Sequence, residues 1–343
     1  MQEEVTVGII GCGRMGMRHA QIYSSLPNVK LVAFCDVNIS LADQAGKRFK
    51  VANFTDDPLR IMLDTEIQAV SVCVPTGFHH KLVNGLLKSG KFVLCEKPLT
   101  ADILEAQSLA RLSSESLKRL TIGYLYRSHP VAKYMKAILL SDVIGSPRMA
   151  TFRIGGKGGQ RPWTHMVNMD GGALLELGVH MIDLTWFFFG HIVNADLLES
   201  GIIIPKRKIA GNTIDVTAAD YSLVSIDCEN GVRVIVESDQ LTPSYSNVME
   251  IQGDNGSILA GIQEHMPVSV YLTEARSPFS KGFNLKKFEP TQMLSEEIGS
   301  FVNYVGGSSV TNPCPIDSSS DVANVITKVR RSELAVGLRS GQN

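Results

Sequence analysis

Apolar runs separated by helix-length segments fill the first third of the chain. Short runs rich in β-branched residues predict buried strands at 5–10, 31–35, 51–54, 69–74, 91–95 and 120–125. Between them, apolar residues at helical spacing predict helices at 17–24, 41–49, 59–64, 79–88 and 101–112. Strands that alternate with helices pair in parallel through right-handed crossovers. The pattern therefore predicts an α/β fold with a doubly wound parallel sheet, whose ligand edge lies at the carboxyl ends of the strands.

The pattern changes after residue 125. Helices are predicted over 129–140, 173–189, 292–305 and 319–338, and strands over 148–154, 218–227, 232–239, 246–252, 257–260 and 268–272. Turn signals at 229–231 and 253–256 join neighbouring strands as hairpins, so this sheet is mainly antiparallel and needs a covering layer of helices or another subunit. At 343 residues the chain exceeds the usual size of one core. We expect two domains, 1–125 and 126–343, and leave open whether the last helix packs back on the first.

A glycine-rich turn follows the first predicted strand. The sequence Gly11-Cys-Gly-Arg-Met-Gly16 joins that strand to a helix, and the next strand ends at Asp36, at about the 20-residue spacing of a dinucleotide-binding unit. Gly11 permits the tight turn, Gly13 leaves the backbone open to a pyrophosphate, and Gly16 lets the helix pack on the strand. The N–H groups that begin the helix face the phosphates. Asp36 would accept hydrogen bonds from the adenosine ribose.

Polar residues collect at the predicted carboxyl ends of the strands. Besides the three glycines and Asp36, the predicted cofactor contacts are Arg14, Met15, Pro75, Thr76, His79, Glu96 and Lys97. Lys97 follows a buried strand and is flanked by Glu96 and Pro98, so its ammonium could polarise a substrate hydroxyl or carbonyl. A lysine that faces phosphate or solvent explains the position equally well. Asp36 is followed by Val-Asn rather than arginine and repels a 2′-phosphate, so NAD is favoured over NADP.

Three polar residues interrupt the apolar helix predicted over 173–189. Glu176, His180 and Asp183 are spaced at i, i+4 and i+7, which places them on one face of an α-helix. Buried acids and imidazoles are costly unless they are paired or used. A carboxylate one turn before a histidine can orient the ring for proton transfer. A purely structural Glu–His hydrogen bond is the alternative.

Composition narrows the classes of partner. The chain is 44% hydrophobic and 20% charged, with a formal net charge of −1, which argues against nucleic acid. No signal peptide is evident, and the apolar stretch around 186–189 is too short to cross a bilayer. None of the six cysteines forms a CxxC pair, which favours free thiols over a metal site. We expect a cytoplasmic protein that binds neither membrane, nucleic acid nor metal.

The sequence resembles the Gfo/Idh/MocA family over essentially its whole length. This is the glucose–fructose oxidoreductase and inositol dehydrogenase group. The resemblance is carried by the glycine-rich turn, by Glu96-Lys-Pro98 and by the segment 171–180. The resemblance implies an N-terminal Rossmann domain, a C-terminal α+β domain with a large open antiparallel sheet, and dimers or tetramers built through that sheet. It also implies oxidation of a sugar, polyol or sugar-nucleotide hydroxyl by a nicotinamide cofactor. By motif match, Lys97 is the catalytic lysine and His180 the proton-transferring histidine, with the hydroxyl between them.

The chain departs from the family at Glu176, where inositol dehydrogenase-like members have aspartate. The longer side chain puts its placement of the substrate in doubt, although it could still orient His180. Further candidate substrate residues, from loop position or family match, are Tyr126, Arg127, Arg161, Trp163, His165 and Asp183. Two alternatives stay open: a nicotinamide-binding sensor without catalysis, and an NAD-dependent glycosidase of the same family.

Overall fold

The computed structural model describes residues 4–159, 161–263 and 265–340, and the side chains of all of these except 334–340. Contacts divide the chain into two units. The first extends to Ser128 and also contains 292–323, and the second consists of 129–291 and the segment from residue 324 onward. The first unit thus takes in a C-terminal segment that the expected boundary at 125 left in the second domain.

The first unit contains the parallel sheet. Its elements before residue 129 are β1 (Val5–Ile10), α1 (Arg14–Tyr23), β2 (Val29–Cys35), α2 (Ile39–Phe49), β3 (Phe54–Thr55), α3 (Pro58–Leu63), β4 (Ala69–Val72), α4 (His79–Lys88), β5 (Phe92–Glu96), α5 (Ile103–Ala110), α6 (Ser114–Lys118) and β6 (Leu120–Gly123). Among these described residues, six strands pair in parallel in the order β3-β2-β1-β4-β5-β6. The predicted doubly wound sheet is confirmed.

One predicted strand of this unit is much shorter than expected. The run at 51–54 pairs with β2 only at Phe54–Thr55. Lys50 ends α2 in the left-handed conformation with φ of 59°, and the Val51 N–H donates to the Gly46 carbonyl. Residues around 51 therefore complete the helix cap instead of the sheet.

The second unit is built on a large mixed sheet. The remaining elements of the chain are α7 (Pro130–Leu140), β7 (Pro147–Gly155), α8 (Val179–Phe189), β8 (Ile192–Gly201), β9 (Lys206–Ile209), β10 (Asn212–Asp215), β11 (Tyr221–Cys228), β12 (Arg233–Asp239), β13 (Ser246–Gly253), β14 (Gly256–Gly261), β15 (Val268–Leu272), β16 (Gly282–Lys286), α9 (Met293–Val305) and α10 (Ser319–Ser340). In the described part of this unit, eight strands follow the order β16-β15-β14-β13-β7-β12-β11-β8. All neighbours are antiparallel except β7 and β12, which confirms the mainly antiparallel sheet.

The two faces of this sheet differ. Along β11, β12 and β13 buried residues alternate with partly exposed ones. The buried face packs against α8, where the rings of Phe188 and Phe189 lie 5.9 and 6.2 Å from Phe152 of β7. The edge strands β8 and β16, which the sequence pattern did not predict, consist mostly of exposed or half-buried residues. Little burial means weak hydrophobic alternation, so these strands leave little signal in the sequence.

The segment before α8 departs from the predicted helix. Leu174–Gly178 forms a π-helical turn, and α-helical geometry begins only at Val179. Gly178 packs tightly, because a Cβ built there would lie 2.9 Å from the Ser238 hydroxyl of β12. This local geometry differs from the α-helix predicted over 173–189, although the four-residue spacing of Glu176 and His180 still spans about one turn.

One apolar segment of the described residues, Val167–Phe189, is also longer than the stretch expected at 186–189. By length and composition it could cross a membrane, with a mean hydropathy of 1.3 over its most apolar window. Within the protein, however, 78% of that window is buried. This burial is typical of a core segment, and β7 and β12 of the same unit pack against it.

Candidate functional site

The glycine-rich turn between β1 and α1 closes through contacts that exclude side chains. Gly11 has φ of +95°, and a Cβ there would lie 2.5 Å from the Cys73 carbonyl oxygen. A Cβ at Gly16 would lie 1.8 Å from the Gly11 carbonyl oxygen. At Gly13, by contrast, a Cβ would meet no protein atom within 4 Å. Gly11 and Gly16 are therefore required by the turn itself, whereas the space beside Gly13 is available to a ligand.

Asp36 supports this turn from the end of β2. Its Oδ2 accepts from the Cys12 backbone N–H at 2.8 Å, and its Oδ1 accepts from the Asn38 N–H at 2.9 Å. The carboxylate is half-buried, beside the glycine-rich turn. It is therefore held in one orientation at the carboxyl edge of the sheet, where a ribose would meet it.

The N-terminus of α1 suits an anionic ligand. No side chain caps it, its first turn has no acidic residue, and Arg14 at its first position is exposed. Free N–H groups and the helix dipole favour negative charge there, and the arginine adds to that preference. An open groove of about 480 Å³ adjoins this turn, lined in part by Met17, Gln44 and Arg48. The residues present therefore fit the pyrophosphate of a dinucleotide.

The turn after β4 carries three of the predicted cofactor residues. Pro75 is exposed and Thr76 half-buried, so both are accessible at the sheet edge. His79 starts α4, as expected, but its ring is buried, with Nδ1 2.9 Å from the Pro98 carbonyl and Nε2 2.9 Å from the Val74 carbonyl. Burial lowers the pKa of this histidine. In this structure His79 ties the turn after β4 to the loop after β5, and its contact with cofactor stays a prediction.

Glu96 and Lys97 end β5 and begin the loop that follows it. Lys97 is half-buried, while Glu96 is buried and accepts from His19 of α1 across 3.1 Å between Oε1 and Nε2. Burial opposes ionisation of Glu96, but the hydrogen bond and charge of His19, together with Lys97 and His79, leave its pKa below the ordinary value. A carboxylate thus lies beside the candidate catalytic lysine.

Sequence reasoning missed the side chains behind Glu96. The His19 Nδ1 lies 3.2 Å from the Ser71 Oγ of β4, which in turn lies 2.9 Å from the Tyr23 hydroxyl. All three side chains are at most 1% exposed. The signal was present in the sequence: His19 and Tyr23 are one helical turn apart, and Ser71 interrupts an apolar strand.

In the second unit, Glu176, His180 and Asp183 lie on the π turn and α8. Glu176 is half-buried and its N–H donates to the Gly172 carbonyl at 3.1 Å, whereas His180 and Asp183 are 7% and 1% exposed. π turns inside helices occur frequently at functional sites. The structure thus places the proton-transfer candidate at a distorted helix start, while the roles of these three residues stay predictions.

The loop before this helix contains Trp163 and His165. His165 is buried, with Nδ1 2.9 Å from Gln240 Oε1 and Nε2 2.9 Å from the Gly159 carbonyl. Trp163 and Arg161 are half-buried. His165 therefore joins the segment after β12, through Nδ1, to the segment after β7, through Nε2, and Trp163 is the more accessible candidate for substrate.

Tyr126 and Arg127 follow β6 and belong to the first unit. Both are buried, and the Arg127 Nη2 donates to the Ser318 hydroxyl at 2.7 Å. This bond fixes the guanidinium on the helical turn at Ile316–Ser318. The predicted substrate contacts of both residues remain predictions.

Comparison with known proteins identifies the family. Residues 5–124 match the family described as "Oxidoreductase family, NAD-binding Rossmann fold", and residues 132–259 match the GFO/IDH/MocA C-terminal domain. The chain belongs to the Gfo/Idh/MocA oxidoreductase family. The resemblance found in the sequence is therefore confirmed, as are the NAD-binding fold and the oxidoreductase class.

Individual members of the family are similar over nearly the whole chain. An uncharacterized oxidoreductase of Bacillus subtilis, YrbE, is 24% identical over 98% of this chain and 96% of its own length. Inositol 2-dehydrogenase of Rhizobium meliloti is 25% identical over 95% and 96% of the two chains. The structure of levoglucosan dehydrogenase with NADH and L-sorbose has a TM-score of 0.81 at 20% identity and covers 97% of both chains. This structural likeness extends the shared fold to both units.

The turn geometry predicts different effects for two glycine substitutions. Gly13→Ala meets no protein atom and should fold normally, yet bind NAD at least about tenfold more weakly, because its methyl group occupies the ligand side of the turn. Gly16→Ala should lower both thermal stability and NAD affinity, because its Cβ collides with the Gly11 carbonyl. Calorimetric NAD titration and thermal unfolding measure both effects.

Gly299→Ala in α9 is the matched control, since a Cβ there also meets nothing within 4 Å and lies in a helix interior. It should leave NAD affinity unchanged. Unchanged NAD affinity in Gly13→Ala would show that the ligand does not approach this turn.

Proposed function

We propose that the protein is an NAD-dependent dehydrogenase that oxidises a hydroxyl-bearing carbon of a sugar, polyol or sugar nucleotide. The observation that carries this proposal is the position of Lys97. It follows β5 at the same carboxyl edge of the parallel sheet as the glycine-rich turn after β1, with only β4 between these strands. An ammonium at this edge can act on a substrate held beside a bound nicotinamide. The relatives named as inositol and levoglucosan dehydrogenases support a polyhydroxylated substrate.

We assign the following chemical roles to residues of the chain. His180 accepts the proton of the substrate hydroxyl, and Lys97 stabilises the negative charge that develops on that oxygen. When bound, NAD supplies the acceptor for the hydride, which leaves the carbon that bears this hydroxyl. Gly11–Gly16 and Asp36 hold the pyrophosphate and ribose. The family match and the buried position of His180 support its role, with Glu176 and Asp183 as its neighbours in sequence.

A substrate screen tests the proposal directly. The protein should reduce NAD with at least one member of a panel of free sugars, inositols and uridine-diphosphate sugars, followed by NADH absorbance. NADH that accumulates in proportion to substrate consumed supports a dehydrogenase. Release of an aglycone without net NADH would indicate the glycosidase, and tight NAD binding without turnover of any compound would indicate the sensor.

Substitution of Lys97 tests the mechanism on the substrate that the screen identifies. Lys97→Met keeps much of the side-chain length and removes the charge, so kcat should fall by about two to four orders of magnitude. The dissociation constant for NAD should change little, as calorimetry can measure. Lys88→Met, at the exposed end of α4, is the matched control and should retain full turnover. Undiminished kcat in Lys97→Met would remove this lysine from the mechanism.

We also propose that a second copy of the chain covers the partly exposed face of the large sheet. Met149, Val248 and Leu259 lie on that face, and Met149 and Leu259 are 48% and 44% exposed. Apolar side chains that adjoin one another on an exposed sheet face mark an interaction surface. The resemblance to a family that assembles through this sheet supports the same arrangement.

Light scattering coupled to size-exclusion chromatography measures this assembly. The protein should elute as a dimer or tetramer, and Leu259→Arg should dissociate it, because a charge would be buried in the interface. Leu63→Arg, at a 76% exposed position of α3, should leave the mass unchanged. A monomeric wild-type protein would contradict the assembly.

A further inference from the structure

A continuous row of buried polar side chains connects the candidate cofactor-binding helix α1 to Glu96, the residue before the candidate catalytic lysine. It runs from Tyr23 through Ser71 and His19 to Glu96, with successive polar atoms 2.9, 3.2 and 3.1 Å apart. Helix α1 supplies Tyr23 and His19, β4 supplies Ser71, and β5 supplies Glu96. Lys97 is the next residue after Glu96. The row therefore lies between α1 and the sheet, entirely within the first unit.

One arrangement of protons satisfies every member of this row. With Glu96 ionised, His19 donates from Nε2 to the carboxylate and accepts at Nδ1 from the Ser71 hydroxyl. The Ser71 oxygen then accepts from the Tyr23 hydroxyl. Burial raises the pKa of Tyr23, so its hydroxyl stays a donor. In this arrangement the serine sets the tautomer of the imidazole.

The hydrogen bonds of this row favour the ionised form of Glu96, whereas burial alone would favour its neutral form. A carboxylic acid as deeply buried as Glu96 tends to become neutral unless hydrogen bonds and opposite charges favour its ionised form. Well-packed apolar side chains in place of the whole row would serve core stability at least as well, because replacing a buried charged pair by apolar residues is often neutral or stabilising. The titratable groups that face Glu96 are His19, His79 and Lys97, with the thiols of Cys73 and Cys95 nearby and Glu297 beyond Tyr23.

We propose that His19 is a positioning residue for Lys97: backed by Ser71 and Tyr23, it holds Glu96 as a carboxylate, and this carboxylate keeps the lysine charged and oriented toward the substrate. The inference rests on the proposed catalytic role of Lys97. It adds a role for α1 beyond phosphate binding, since the helix that holds the cofactor also sets the state of the lysine. His19 acts through Glu96 and touches neither substrate nor cofactor in this role.

The protonation state of Lys97 can be followed without any turnover. Reductive methylation with ¹³C-formaldehyde labels the lysines, and comparison with Lys97→Arg identifies the Lys97 signal in the NMR spectrum of the full chain. In His19→Leu the Glu96 carboxylate loses its donor and should become neutral, so the pKa of Lys97 should fall by about one unit or more. His19→Gln keeps an N–H near the Nε2 position, so the Lys97 titration should return toward that of the wild type.

Steady-state kinetics on the identified substrate supply the second readout. His19→Leu should lower kcat at neutral pH by about tenfold or more, because Lys97 loses its orientation. The alkaline limb of the pH profile should move to lower pH together with the titration of Lys97. The KM for NAD should change less than about threefold, because Gly13 and Asp36 are untouched. His19→Gln should restore most of kcat. Ile61→Val is a control substitution that removes one buried methyl group from α3. It should change neither the pH profile nor the Lys97 titration.

Separate results overturn this inference and the proposed function. An unchanged Lys97 titration in His19→Leu, in an enzyme that is active and depends on Lys97, would refute the role of His19 alone. Full turnover in Lys97→Met would refute the lysine's catalytic role, while the NMR titration would still measure its coupling to His19. If His19→Leu does not fold, Ser71→Ala replaces it: loss of the donor to Nδ1 should give a smaller shift in the same direction, and no shift would count against the proposal.

Discussion

The close backbone approach between Gly11 and Gly16 is the contact on which the first unit depends. Only residues without a Cβ allow the Gly11 carbonyl to meet the start of α1 and the Cys73 carbonyl to meet Gly11. The same contacts place the uncapped N-terminus of α1 at the carboxyl edge of the sheet. Binding and packing are thus one constraint here, since the turn that accommodates a pyrophosphate is also the turn that seats the helix on β1 and β4.

The electrostatics at the ligand edge depends on groups that can contact a ligand and on buried groups that cannot. Asp36 and the α1 terminus are placed to act on a ligand directly, whereas His19, Ser71 and Tyr23 act on Glu96 from the buried space between α1 and the sheet. A buried carboxylate is stable as an ion only where donors and positive charge surround it. The first unit meets that requirement with side chains from three separate elements, so it couples helix placement to the charge beside Lys97.

The second unit uses its sheet differently. One face of the mixed sheet packs on α8 through Phe152, Phe188 and Phe189, and the other face keeps partly exposed apolar residues. The helix that carries His180 begins in a π turn against β12. Glu176 lies in this π turn, and His180 lies in the first turn of α8. The departure from aspartate at 176 lies in the part of the helix whose geometry is itself unusual.

The sequence alone determined the order of elements in the first unit, because alternating apolar runs, Gly11–Gly16 and the acid at Asp36 depend on local spacing. It also determined the family, through motifs that are contiguous in the chain. Tertiary structure decided what depends on distant partners: the short strand β3, the exposed edge strands, the π turn, and the engagement of His79, Arg127 and His165 with buried groups. Hydrophobic periodicity records which face of an element is buried, but hydrogen bonds between residues such as His19 and Glu96, far apart in sequence, exist only once the sheet has brought them together.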